Sequence, residues 1–102
     1  MSREPVRFAI ERPCVLVLDD EPTVRRAVAR ILRLHGAEVL SAATAEEARC
    51  ALREAKVHVV ISGQNNGLGE EDGISFLSSV RDAHPHARRG LISGAATEAE
   101  VQ

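Results

Sequence analysis

The 102 residues carry 13 Lys and Arg against 15 Asp and Glu, a formal charge of −2, and 44% of them are apolar. Size and composition fit one soluble globular domain, and the charge excludes a nucleic-acid grip built on neutralising phosphates. Cys14 and Cys50 lack metal-ligand spacing and a secretory leader, so they read as reduced thiols of the cytoplasm, and no apolar run is long enough to span a membrane.

Residues 1–13 form a charged, proline-containing lead-in that ends at Pro13. "CVLVLDD" follows, an apolar run of the kind found in strands buried on both faces, closed by Asp19, Asp20 and Glu21. Pro22 suits the first turn of a helix, where its missing N–H is no loss. Val24, Ala27, Val28, Ile31 and Leu32 then recur at helical spacing, with Arg25, Arg26, Arg30 and Arg33 on the solvated side, and Gly36 offers a left-handed stop. "AEVLSA" predicts a second strand. "TAEE" supplies a capping box, Thr44 with Glu47, ahead of a helix with Ala45, Ala48, Leu52 and Ala55 inward.

"VHVVIS" predicts the third strand, and a Gly- and Asn-rich loop runs from Gly63 to Asp72. Ile74, Leu77 and Val80 mark a third helix that fades near His84 and Pro85. "RGLIS" is a fourth strand, and "TEAEVQ" looks like the beginning of another helix. Without Trp or Tyr, and with only Phe8 and Phe76, the core must be aliphatic. The alternation of strand and helix predicts an α/β fold, a parallel sheet covered on both faces. Ligands of such sheets sit outside the carboxyl ends of the strands. Those ends carry Asp19-Asp20-Glu21, Ser62-Gly63 and Ser93-Gly94.

"VLVLDDEPTVRRAVARILRLHGAEVLSAATAEEA", "DGISFLSSVRDAHP" and "GLISGAA" resemble, in the same order, the receiver domain of bacterial two-component response regulators. The resemblance covers residues 14–102. It implies a CheY-like, flavodoxin-like doubly wound sheet, truncated here to about four strands. In that family two acids after strand one hold Mg²⁺, an aspartate ending strand three receives a phosphoryl group from a histidine kinase, and a hydroxyl ending strand four bonds it. The resemblance places Asp19 and Asp20 at the metal and Ser93 at the hydroxyl. The phosphoacceptor position falls on Gly63, and the lysine of a fifth strand has no counterpart.

A glycine offers no oxygen to phosphorus. Ser62 is adjacent in sequence, but neighbouring strand residues point to opposite faces, so its hydroxyl should look away from the site. The resemblance therefore implies a pseudo-receiver, not an enzyme, that requires no cofactor, binds Mg²⁺ weakly at most, and works through a protein partner. That partner is a histidine kinase, a regulator or a second copy, met at the open edge of the fourth strand by Leu91 and Ile92. Nucleic acid and membrane are not expected.

Two alternatives stay open on the sequence. Asp72 could accept the phosphoryl group in place of the lost aspartate, although an aspartate there more often caps the following helix. "VLVLDDEPT" also looks somewhat like the nucleophile motif of haloacid-dehalogenase-type phosphatases, with Asp19, Glu21 and Thr23. That family wants Asp at the second acid and a downstream lysine, and Lys56 lies at the wrong end of a strand.

Overall fold

A computed structural model of the chain describes residues 12–63 and 72–92. Strands and helices alternate as β1 (Cys14–Leu18), α1 (Pro22–Leu34), β2 (Glu38–Ala42), α2 (Ala45–Glu54), β3 (Val59–Gly63), α3 (Gly73–Ala83) and β4 (Arg88–Ile92). All four strands are parallel, in the order β2-β1-β3-β4. The fold class is therefore the parallel α/β sheet that the alternation predicts, in the doubly wound, flavodoxin-like form that the resemblance implies. Most of the lead-in, the body of the loop after Gly63, Ser93 and the helical start at the end of the chain lie outside the described residues.

β1 is central, and every one of its residues is buried. Side-chain alternation sends Val15 and Val17 to the α1 side, where they meet Ala29, Ala37 and Val39. Leu16 and Leu18 go to the other side, among Leu52, Val60, Phe76 and Val80 beneath α2 and α3. Phe76 is the largest of the fully buried side chains, so an otherwise aliphatic core is anchored by one aromatic ring. Arg49 of α2 lies over that ring, 5.2 Å from its centroid, and donates to the Ser79 hydroxyl at 3.0 Å, tying α2 to α3.

The helix ends follow local chemistry. Thr44 Oγ1 accepts from the Glu47 amide at 3.1 Å, while the Glu47 carboxylate takes the amide of Ala43 at 2.8 Å. The capping box is thus closed one residue earlier than its usual form. Asp72 caps α3 by accepting from the Ser75 amide at 2.8 Å, and Gly36 ends the turn after α1 with a φ of 93°.

Three local expectations change. Ile31, assigned to the inward stripe by spacing, is 56% exposed, and Ala27 is exposed as well. α1 packs mainly on β1 and β2, rolled so that Ala29 is its buried residue. In α3, Ile74 is 60% exposed. Capping at Asp72 starts the helix at Gly73, so Gly73, Phe76 and Val80 form the inner face. The third strand begins at Val59 and runs through Gly63, not from Val57 to Ser62.

His58 stands outside that strand for a reason. Its Nδ1 accepts from the Cys14 amide at 3.0 Å, while its own backbone N–H and C=O bond to Cys14 and Arg88 at 2.9 Å each. The imidazole closes an amide that β1 would otherwise leave open at its entry. His58→Ala should lower the unfolding free energy by about 1 kcal/mol, the usual net value of one such bond. Urea denaturation at neutral pH measures it, and an unchanged midpoint would mean the bond contributes nothing.

Candidate functional site

The chain leaves β1 for β2 on one side and reaches β3 on the other, so the strand order reverses between β1 and β3. A crevice opens at such a reversal, outside the carboxyl ends of the strands. Asp19 and Gly63 meet there.

Asp19 continues the β1 ladder by donating its amide to the Ala42 carbonyl at 3.1 Å. Its side chain is only 8% exposed. Oδ1 accepts the Glu21 amide at 2.9 Å, which fixes the carboxylate at the entrance of α1. Oδ2 lies against Gly63: a Cβ placed on that glycine would be 2.7 Å from Oδ2 and 3.0 Å from Cγ. The carboxylate of Asp19 therefore fills the room that a side chain at position 63 would take. Asp20, next along, is exposed.

Ser62 has no exposed surface and donates its hydroxyl to the Gly63 carbonyl at 2.8 Å. It lies on the α2 and α3 side of the sheet with Val60, away from Asp19, as alternation requires. The backbone of Gly63 is also approached by Gly73, whose missing Cβ would land on the Gly63 carbonyl oxygen and 2.8 Å from Leu91 Cδ1. Leu91 is thus packed at the start of α3. It and Ile92 are half-buried in β4, a strand that among the described residues pairs only with β3. Ser93, the hydroxyl expected at the end of that strand, lies outside the described residues.

Arg25 is the functional neighbour that sequence periodicity assigns wrongly. Grouped with the solvated arginines, it is instead half-buried, and its Nη1 donates to the Asp19 carbonyl at 2.7 Å. The signal was one of reach: a long side chain in the first turn of α1 can fold back onto the strand end that feeds the helix. For a Mg²⁺ ion, the described residues supply two carboxylates at this rim, one of them engaged by an amide and pressed on a glycine. Among the described residues, no three His, Cys, Asp or Glu side chains converge to hold a metal. Asp19 and Asp20 are the residues that would hold the ion, its remaining oxygen ligands coming from water or phosphate.

Asp72 is at the other side of the loop, and its carboxylate is committed to the cap. Hydrogen bonds from Ser75, first its backbone amide and then its side chain, hold the carboxyl below the ordinary carboxylate value. A depressed folded value means that the cap's stabilisation is fully present above the unfolded value of about 3.9 and fades as the pH falls through the lower folded one. The gap in unfolding midpoint between wild type and Asp72→Ala should therefore narrow from about pH 6 to about pH 2.5. A gap independent of pH would show that the ionised carboxylate is not the capping form.

A family model, the response regulator receiver domain, matches residues 15–102. The chain belongs to this family. Over 80 residues the receiver is 38% identical to the hydrogenase transcriptional regulatory protein HoxA of Bradyrhizobium diazoefficiens, a match that covers 78% of this chain and 16% of that protein. Among solved structures, the chemotaxis response regulator CheY4 of Vibrio cholerae superposes with a TM-score of 0.75 at 25% identity, covering 87% of the receiver and 74% of that chain. The beryllofluoride-activated NtrC4 receiver domain dimer gives a TM-score of 0.73 at 26% identity, covering 84% of the receiver and 69% of its counterpart. Membership sets aside the phosphatase resemblance of the first strand. No helix among the described residues is long and apolar enough to cross a membrane.

Proposed function

We propose that this receiver is a silent one: a two-component signalling domain that takes no phosphoryl group at the end of β3 and acts through protein contact. One observation carries the reading. Position 63 is a glycine, and the space its side chain would need is filled by the Asp19 carboxylate. In-line transfer needs a nucleophilic oxygen at that position and a metal to neutralise the developing charge. Gly63 has no such oxygen, Ser62 is turned to the opposite face, and Asp72 is spent on capping α3.

Mg²⁺ binding is weak in this reading, because Asp19 already has an amide partner in Oδ1. Isothermal titration should give a dissociation constant no tighter than millimolar, and micromolar affinity would contradict it. The partner is a protein of the cytoplasm: a histidine kinase, a regulator, or a second copy docking on the β4 edge around Leu91 and Ile92. HoxA carries the name of a transcriptional regulatory protein, and an input role inside a larger regulator is the setting this reading favours.

The test is an intact mass after incubation with Mg²⁺ and acetyl phosphate. No stable phosphoryl adduct should form. An adduct would end the silent reading, and its location by peptide mapping would decide whether Asp72 carries it.

A further inference from the structure

The far rim of the molecule holds a concavity of another kind. Helices run opposite to the strands they connect, so the carboxyl ends of α2 and α3 lie at the sheet end away from Asp19 and Gly63. Between them is a groove of about 260 Å³, with Leu52, Val80 and Ala83 on its floor and Arg49, Arg53 and His84 around it. That volume is below the roughly 300–1,000 Å³ of small-molecule sites, so it suits one side chain of a larger partner better than a cofactor.

Among the described residues, every titratable group lining the groove is basic, although the whole chain carries a net charge of −2. The carbonyl end of a helix draws cations, which accounts for Arg53 in the last turn of α2. It does not account for an open groove between α2 and α3 whose base is the edge of the core at Leu52 and Val80. Arg49, stacked over Phe76 and bonded to Ser79, forms a wall that is already ordered, so closing on it costs little side-chain entropy. Arg53, exposed at the rim, brings the charge.

We infer that the α2–α3 groove docks an acidic segment of a partner protein, with an aliphatic side chain on the floor and an adjacent carboxylate at Arg53 and His84. This inference does not rest on the silence of the strand-end site, because the two lie at opposite ends of the sheet and are read by different measurements.

The probe is a capped tetrapeptide, acetyl-Glu-Leu-Leu-Glu-amide, titrated to millimolar concentration into the ¹⁵N-labelled 102-residue chain. Saturable shifts should appear at the amides of Arg53, Ala83 and His84. The Gln-Leu-Leu-Gln counterpart should bind at least fivefold more weakly, and Arg53→Glu should abolish the shifts while leaving the fold's spectrum intact. Arg30→Glu on the outer face of α1, which makes the same change in net charge, should leave binding unaltered. Shifts that do not saturate, equal binding of the neutral peptide, full binding by Arg53→Glu, or an equal loss with Arg30→Glu would each overturn the inference.

Discussion

Replacing Gly63 by aspartate should make the receiver less stable without metal and responsive to Mg²⁺. The new Cβ would stand 2.7 Å from Asp19 Oδ2, so the Asp19 carboxylate must turn away and give up its bond from the Glu21 amide. Because the atoms met are the far end of a side chain that can turn aside, this crowding costs about 1 kcal/mol, the low end of the overpacking range. Two carboxylates about 4 Å apart add up to about 4 kcal/mol at an effective dielectric of 20, before water and counterions relieve them. A loss on the order of 3 kcal/mol in unfolding free energy is the combined expectation. Gly63→Asn separates the two causes, because it crowds Asp19 equally and adds no charge. Thermal melts should show a large rise in midpoint with millimolar Mg²⁺ for the aspartate variant only. That variant should also gain one phosphoryl group from acetyl phosphate where the wild type gains none. A wild type and an aspartate variant that respond alike to Mg²⁺ would show that a carboxylate at position 63 does not govern binding of the ion.

Gly73→Ala should be the most damaging single change at the strand ends. Its methyl group would land on the Gly63 carbonyl oxygen, a backbone atom that cannot rotate aside, and would crowd Leu91 Cδ1 at 2.8 Å. α3 would have to lift from β3, and Phe76, one turn along the same face, would lift with it. Overpacking against backbone together with partial exposure of a buried ring places the cost above about 3 kcal/mol. Urea unfolding monitored by far-UV circular dichroism measures this. A loss under about 1 kcal/mol would mean that α3 can be displaced without disturbing the core.

Much of this was legible in the chain itself, because the two central strands are mostly apolar runs and each helix opens on a residue with a local job. "CVLVL" announces a strand buried on both faces, and Pro22, Thr44 and Asp72 begin their helices as their chemistry requires. The vacancy at Gly63 was readable from its place after "VVIS". What fills that vacancy was not, because the rotamer of Asp19 depends on an amide two residues on and on a strand 44 positions away. Arg25 escaped for a similar reason: periodicity sorts residues by helix face and is blind to a side chain that reaches back past the helix end. Ile31 and Ile74 look inward by spacing, yet face is decided by which sheet residues a helix crosses, information that no single helix contains.

Neighbours are shared unequally across the sheet. β1 has a strand on each edge and helices over both faces, whereas β4, among the described residues, has one strand beside it and no buried side chain, Arg88 and Arg89 being exposed and Leu91 and Ile92 half-buried. Resistance to local opening should therefore fall from the centre outward, with amide protons of Val15 to Val17 released only when the whole domain unfolds and those of Gly90 to Ile92 released by far smaller fluctuations. A partner seated on that outer strand would announce itself as slowed deuterium uptake in β4, while the innermost amides kept the same clock.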